Sequence, residues 1–376
     1  MASLVYWVHQ LLFGVYYLYA QSNASDSGAY FRKVVQNYRG DNWEAFYGTS
    51  TTFIEFIGYP FIKYFGFNYE SMMILFSFFG LLGFLFFIKV VEDKIKFTHY
   101  IWGVNFIFLI FLFPNLHFWT VSFGKGSLIF FGLGLFFYGL SKYSQRIIAL
   151  IIGGVVVYHI RPHIFFVMLI SFIISATLEG KLNFVRVTML IGSSFLFFML
   201  LGDVQTLTGI EDIESFSTLD TRAESLLRAT SGVDLSKYNQ VEKLLTFWFR
   251  PLFFDAPGFL GIITSIENLF NILILIKIIK WDFIKRIFQG DSFQKTMFLT
   301  FIFVSIAIAQ ISGNLGLALR QKSQIWLLLF MTILIYLDQI KMSRFKEYQF
   351  FQWKRNKLNK LAKNIKPKLI NQKGKI

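Results

Sequence analysis

Charged and imidazole side chains that stand beside long apolar runs are the residues most able to do chemistry here. Asp26 follows the first apolar run, in the stretch SNASDSGAYFRK (22–33), and a helix is expected to begin near Ala29. A carboxylate at a membrane surface can act as a general base or bind a cation. Asp and Ser also cap helices well, so a purely structural role for Asp26 stays open.

The stretch HIRPH (159–163) lies between two apolar runs with no polar linker. Pro162 lacks a backbone N–H and pushes Arg161 out of helical geometry, which predicts a tight turn. Arginine suits bidentate binding of phosphate or pyrophosphate. His159 and His163 could transfer protons or donate hydrogen bonds. The alternative is a turn whose arginine only reaches up to the membrane surface.

Lys125 stands between two glycines in PNLHFWTVSFGKGS (114–127), just before another apolar run. Exposed N–H groups at a helix start and an ammonium group favour the same charge, so an anion site is predicted; contact of Lys125 with lipid phosphate is the alternative. Pro114 is expected to end the preceding helix, with His117 and Trp119 near the interface.

Two further stretches, FWFRPLFFD (247–255) and SGNLGLALRQKSQ (312–324), place cations beside apolar runs. Glu267 is expected to pair with one of these cations, since an ionisable group in hydrocarbon needs a partner. Packed helices could aim four of the cations at one anionic ligand: Lys125, Arg161, Arg250 and Arg320.

The composition predicts that membrane helices position these residues. The 376 residues are 55% hydrophobic and only 16% charged, with a mean hydropathy of +0.53. A soluble domain carries about 25% charged residues. An all-α, polytopic bundle of about ten transmembrane helices follows, with spans at 3–20, 71–89, 100–116, 127–140, 147–160, 163–178, 187–201, 258–277, 296–312 and 324–340.

The basic residues predict the orientation of the bundle. With the N-terminus inside, the inside segments hold 24 Lys and Arg residues and the outside segments hold 13. Cytoplasmic loops carry such an excess, so both termini are expected in the cytoplasm. Residues 1–340 form one transmembrane domain. Its two large outside loops, 21–70 and 202–257, mix charged and aromatic residues as amphipathic interfacial helices do.

The net charge of +15 is concentrated in residues 341–376, which hold twelve Lys and Arg residues against one acid, Glu347. A basic tail beside a membrane helix predicts binding to anionic lipid headgroups rather than to nucleic acid. Cysteine is absent, and no zinc, serine-hydrolase or nucleotide-binding pattern occurs, so no cofactor and no metal is expected, although a divalent cation is compatible.

Several of these stretches resemble bacterial membrane enzymes of polysaccharide synthesis. Asp26 to Tyr30, after a first helix, resembles the acidic outside loop of type C membrane glycosyltransferases. Residues 114–140 and HIRPH resemble the O-antigen and exopolysaccharide polymerases. FRPL (249–252) and NLGLALRQK (314–322) resemble membrane proteins of exopolysaccharide loci.

The resemblance implies glycan transfer from a polyprenyl-(pyro)phosphate donor on the outer face of the bacterial cytoplasmic membrane. Under it, the four cations hold the (pyro)phosphate and Asp26 or His163 is the base. Tyr30, Trp119 and Trp248 stack on sugars or only anchor the protein at the interface. A flippase-like carrier of an anionic or lipid-linked substrate is the main alternative, and a structural subunit of an envelope complex is another. Protein partners stay open.

Overall fold

The described part of the protein is mainly helical. The structure, a computed structural model, describes residues 1–23, 25–179, 187–188, 190–195, 238–256, 258–310 and 315–373. Its elements are α1 (Ala2–Ser22), α2 (Asp26–Val35), a short 3₁₀ turn (Glu44–Phe46), α3 (Thr51–Lys63), α4 (Tyr69–Lys94), the hairpin β1–β2 (Tyr100–Ile101, Val104–Asn105), α5 (Phe106–Phe111), α6 (Pro114–Thr120), α7 (Lys125–Ser141), α8 (Ile147–Ile160), α9 (Pro162–Thr177), α10 (Gln240–Phe249), α11 (Gly258–Ile278), α12 (Trp281–Gln289), α13 (Ser292–Ala309) and α14 (Leu315–Lys373).

Four of the described helices are long and apolar enough to cross a membrane: α4, α13, most of α11 and the first part of α14. The apolar helices α7, α8 and α9 are shorter, with 17, 14 and 16 residues. All-α membrane architecture therefore agrees with the sequence prediction, while the count of ten spans stays a prediction. Span 187–201 falls partly outside the described residues, and the predicted outside loop 202–257 falls largely outside them.

The predicted span 100–116 is not one continuous helix, because the chain breaks there into the β1–β2 hairpin and the short helices α5 and α6; Phe106–Thr120 is apolar, and its crossing of the membrane stays a prediction. Asn105 caps α5 by accepting a hydrogen bond from the Ile107 N–H at 3.0 Å. Pro114 begins α6 instead of ending a helix. Proline fits the first position of a helix, since its missing N–H would have no partner there.

Close contacts through glycine join α4, α7 and α8 into the centre of the bundle. A Cβ added at Gly153 of α8 would lie 2.4 Å from the backbone N of Phe136 on α7, and one at Gly139 would lie 2.4 Å from the N of Leu150. On the other side of α7, a Cβ at Gly134 would lie 2.7 Å from the carbonyl oxygen of Gly83 on α4. Helices in membranes commonly approach through such small residues.

Polar contacts gather at the two ends of the bundle. At one end, Asp93 in the last turn of α4 pairs with Lys142 and Arg146, which lie in the α7–α8 connection. At the other end lies Lys125, the first residue of α7, which spans about 25 Å at 1.5 Å per residue. Segments that the charge count assigns to the same side of the membrane thus contact one another, and the sidedness itself stays a prediction.

Candidate functional site

Asp26 pairs with Arg320 across a long sequence separation. Ser25, not Asp26, caps α2, because its Oγ accepts a hydrogen bond from the Gly28 N–H at 3.4 Å. The Asp26 carboxylate, whose side chain is 55% exposed, accepts a hydrogen bond from the guanidinium of Arg320 near the start of α14. The capping role therefore belongs to Ser25, and Asp26 brings α2 and α14 together.

Arg161 is a buried cation in the turn between α8 and α9. The residue is 6% exposed, and its Nη1 has no hydrogen-bond partner among the described residues. Burial, and then the positive charge of Arg320, lower the pKa of Arg161, while the Tyr30 phenol acts in the opposite direction. Arg161 therefore lies close to Arg320 and Tyr30 with part of its hydrogen-bonding capacity unused.

Lys125 completes a cationic cluster, which we define as Lys125, Arg161 and Arg320. Its Nζ donates a hydrogen bond to the Oγ of Ser50 at 2.8 Å. The charges of Arg161, Arg320, Asp26 and Glu55 all act on this ammonium group. Three of the four predicted cations thus share one site, which is built from the ends of α7, α8 and α14.

Tyr30 and Glu55 line the same site from the predicted outside loop 21–70. Tyr30 is 7% exposed, and burial, followed by the negative charge of Asp26, raises its pKa to about 12. Glu55 of α3 is fully buried, with Arg39 Nε at 2.5 Å and Lys33 Nζ at 3.7 Å. The sequence reasoning missed Glu55, although a single acid in the apolar stretch TFIEFIGYPF was a usable signal.

Gln324 is a second residue that the sequence reasoning missed. It lies one helical turn after Arg320 on α14 and is completely buried, and neither amide atom has a partner among the described residues. A Cβ added at Gly126, next to Lys125, would lie 3.7 Å from the Nε2 of Gln324, so Gln324 packs against the start of α7. A buried amide without partners is costly unless a ligand or a water satisfies it.

The two histidines of HIRPH have different surroundings. His159 is held on both ring nitrogens, with Val155 O at 2.8 Å and the Tyr47 hydroxyl at 3.2 Å, and it stacks on Phe53. His159 therefore supports the loop before α3. His163 is exposed at the second position of α9, two residues after Arg161, and its role as a base stays a prediction.

Arg250 does not leave its guanidinium unpaired for an anion. Its Nε donates to Asp255 at 2.5 Å, and its Nη1 donates to the Tyr238 hydroxyl at 3.2 Å. Lys322 binds the adjacent backbone, donating to the carbonyls of Trp248 and Arg250 at 3.0 and 2.8 Å. The expectation that Arg250 joins the other cations is therefore not supported by its contacts.

Glu267 caps a helix in addition to facing a cation. Its Oε1 accepts a hydrogen bond from the Asn115 N–H near the start of α6 at 2.7 Å, and the charge of Lys322 acts on it. Lys322 also donates to the Asn268 Oδ1 at 2.9 Å. The cavity beside these residues measures about 20 Å³, which holds about one water molecule.

Three of the residues predicted to support a sugar make contacts within the protein. Trp119 donates to the Asn115 Oδ1 at 2.9 Å, and Trp248 stacks on Phe301. His117 is fully buried rather than interfacial, with His9 Nδ1 at 3.1 Å from its own Nδ1. His9 lies thirteen residues before the end of α1, so the contact between His9 and His117 is about 20 Å along α1 from its C-terminal end.

Searches for metal-binding groups among the described residues and for similar proteins found nothing. Among the described residues, no three or more His, Asp or Glu side chains are grouped to hold a metal ion. A scan against protein-family models, a search of curated proteins and a search of solved structures found no match. The resemblance to the polysaccharide polymerases and type C glycosyltransferases therefore rests on short stretches of sequence alone.

Proposed function

We propose that this protein is a membrane glycosyltransferase, or polysaccharide polymerase, of the bacterial cytoplasmic membrane. It transfers a glycan from a polyprenyl-(pyro)phosphate donor on the outer face. The cationic cluster holds the (pyro)phosphate, and Asp26 or His163 accepts a proton from the acceptor hydroxyl. The bundle crosses the membrane about ten times with both termini in the cytoplasm, and the basic tail contacts anionic lipid headgroups.

The observation that carries the proposal is the buried, partly unsatisfied guanidinium of Arg161 beside two other cations. Burying a charge without a partner costs several kcal/mol. Asp26 is paired with Arg320, and Glu55 is already bound by Arg39 and Lys33. A phosphate supplies both the missing negative charge and acceptors in the geometry that arginine recognises.

A polyprenyl donor also suits this position. Its phosphate would stay at the end of the bundle, while its chain lies along the exposed apolar helix faces. Because the donor carries its own leaving group, no nucleotide site is required. Stabilising the charge that develops on that leaving group is a large source of rate acceleration in transferases of this kind.

One feature favours the carrier alternative. Three polar residues lie together inside the bundle: Glu267, Asn268 and Lys322. A carrier needs polar groups within the membrane. Lys322, however, donates to Asn268, and all three residues hydrogen-bond to nearby backbone. The adjacent cavity of about 20 Å³ is far smaller than a lipid-linked sugar. We therefore favour transfer over transport.

Glycan transfer by purified protein in proteoliposomes tests the proposal. The assay supplies a polyprenyl-pyrophosphate glycan as both donor and acceptor and measures chain length. We expect Arg161→Gln to slow elongation by about 100-fold or more, as loss of one donor to a transition-state oxyanion does. Wild-type elongation by a correctly folded Arg161→Gln protein would refute the role of the cluster, and lipid movement without elongation would favour the carrier.

A further inference from the structure

Ser50 has an unusual backbone conformation beside the cationic cluster. Its φ is 63° and its ψ is −120°, a region that residues other than glycine rarely adopt. Ser50 directly precedes α3, where serine normally caps the helix with its hydroxyl, yet here it makes no such hydrogen bond. Strained backbone of this kind concentrates at functional sites.

The Ser50 hydroxyl instead faces Lys125. Its Oγ lies 2.8 Å from the Lys125 Nζ, and the residue is half-buried, so a ligand can reach it. Lys125 precedes the predicted span 127–140. Burial, and then the charges of Arg161 and Arg320, lower the pKa of Lys125 to about 8, against the opposing effects of Asp26 and Glu55. A lysine of this kind is partly neutral near physiological pH and can accept a proton.

Contacts with the HIRPH turn hold Ser50 in place. Its backbone N–H donates to the His159 carbonyl at 2.6 Å. The His159 ring stacks on Phe53 with centroids 4.6 Å apart, and its Nε2 lies 3.2 Å from the Tyr47 hydroxyl. The same turn that positions Arg161 therefore also fixes the hydroxyl that faces Lys125.

We propose that Ser50 is a nucleophile and Lys125 its general base, and that the bond they break is a phosphorus–oxygen bond of the lipid-linked substrate. The inference rests on the proposed function for its lipid-linked substrate and narrows the reaction there: the donor gives up its glycan together with one phosphate, rather than the glycan alone. Serine hydroxyls are activated by an adjacent base, and serine–lysine pairs are one known form of this arrangement. A nucleophile surrounded by cations suits phosphorus, because its transition state spreads negative charge over the phosphoryl oxygens.

The reaction has two balanced steps. First, Ser50 Oγ attacks phosphorus, its proton moves to the Lys125 Nζ, and the polyprenyl phosphate leaves as an anion. The glycan phosphate is now bonded to Ser50. Second, an acceptor hydroxyl attacks the same phosphorus and gives its proton to Asp26, and Ser50 leaves and regains its proton from Lys125. The product is a phosphodiester-linked glycan.

A fluorophosphonate probe tests the nucleophile without needing the natural substrate. Attack of Ser50 on the probe releases fluoride and leaves a stable phosphonyl adduct, which peptide mass spectrometry locates. We expect the full-length protein in detergent to be labelled at Ser50. Ser50→Gly tolerates the positive φ and should lose all labelling, while Thr49→Ala, which removes the neighbouring hydroxyl, should keep it.

The labelling rate should also depend on pH through Lys125. Below about pH 8 the base is protonated, so the rate should rise about tenfold per pH unit and then level off. Lys125→Arg, which stays charged, should abolish labelling. The groups facing Lys125 are Arg161, Arg320, Asp26 and Glu55.

An unlabelled Ser50 in folded protein, or labelling that survives in Lys125→Arg, would overturn the inference. Loss of glycan transfer in Arg161→Gln together with an unlabelled Ser50 would leave the proposed function standing. Labelling at Ser50 in a protein that elongates no glycan would remove the proposed function and keep the nucleophile.

Discussion

At the residue scale, the central feature is a set of cations with too few anions. Arg161, Arg320 and Lys125 converge from three separate parts of the chain. The sequence predicted these three because charged residues next to apolar runs are conspicuous. It also predicted Arg250, which Asp255 neutralises, since a local pair five residues apart cannot be distinguished from an open site by pattern alone. Ser50 was not predicted because its importance depends on backbone conformation, whereas Glu55 could have been predicted as a single acid in an apolar stretch.

The buried guanidinium of Arg161 is expected to lower the free energy of unfolding of the protein without its ligand. Replacing it with methionine keeps most of its volume and removes an unsatisfied buried charge, so we expect a gain of about 1–4 kcal/mol in the free energy of unfolding. Thermal unfolding of purified protein in detergent measures the direction of this change. Arg250→Met is the matched control and should lower stability, because it leaves Asp255 without its partner. A destabilised Arg161→Met protein would contradict the interpretation of Arg161 as a ligand-binding group.

At the element scale, breaks in the helices create the site. Pro162 ends α8 and starts α9 around Arg161, and Gly124 precedes α7. The sequence predicted both breaks: Pro162 constrains Arg161, and Lys125 stands between two glycines just before an apolar run. It failed at 100–116, where apolar composition concealed a hairpin and two short helices. Apolar runs show burial but do not show whether the helix continues.

The glycine contacts between α7 and α8 should be essential to this arrangement. Gly153→Ala places a Cβ 2.4 Å from the backbone of Phe136, so the two helices must separate, and we expect a loss of more than about 2 kcal/mol. Chemical unfolding in mixed micelles measures this loss. Gly14→Ala in α1 is the control: a Cβ there meets nothing within 4 Å, and alanine should stabilise the helix by up to about 1 kcal/mol. Equal effects of the two changes would contradict the close packing.

At the scale of the whole molecule, one group of ionic contacts lies at each end of α7 in the described part of the chain. Asp93, Lys142 and Arg146 form one group, and the cationic cluster with Asp26 lies at the other end. The positive-inside count assigns these two groups to opposite sides of the membrane, and that assignment stays a prediction. The number of spans was harder to predict, since several helices are shorter than the roughly 20 residues of a straight crossing.

The predicted sidedness can be measured directly because the chain has no cysteine. Single cysteines replace two exposed residues, Tyr38 in the outside loop and Trp281 at the start of α12. The cells are treated so that the outer membrane becomes permeable and the cytoplasmic membrane stays closed. A maleimide that cannot cross the cytoplasmic membrane should then label Tyr38→Cys and leave Trp281→Cys unlabelled. The reverse pattern would place the cationic cluster in the cytoplasm and exclude an outer-face donor.

The most direct test of the account is an experimental structure of the protein with a bound polyprenyl pyrophosphate. We expect phosphate oxygens within about 3 Å of the Arg161 guanidinium, with Arg320 and Lys125 contacting the same phosphate group. Ordered lipid pyrophosphate bound at the other end of the bundle, with Arg161 left without a phosphate, would contradict it.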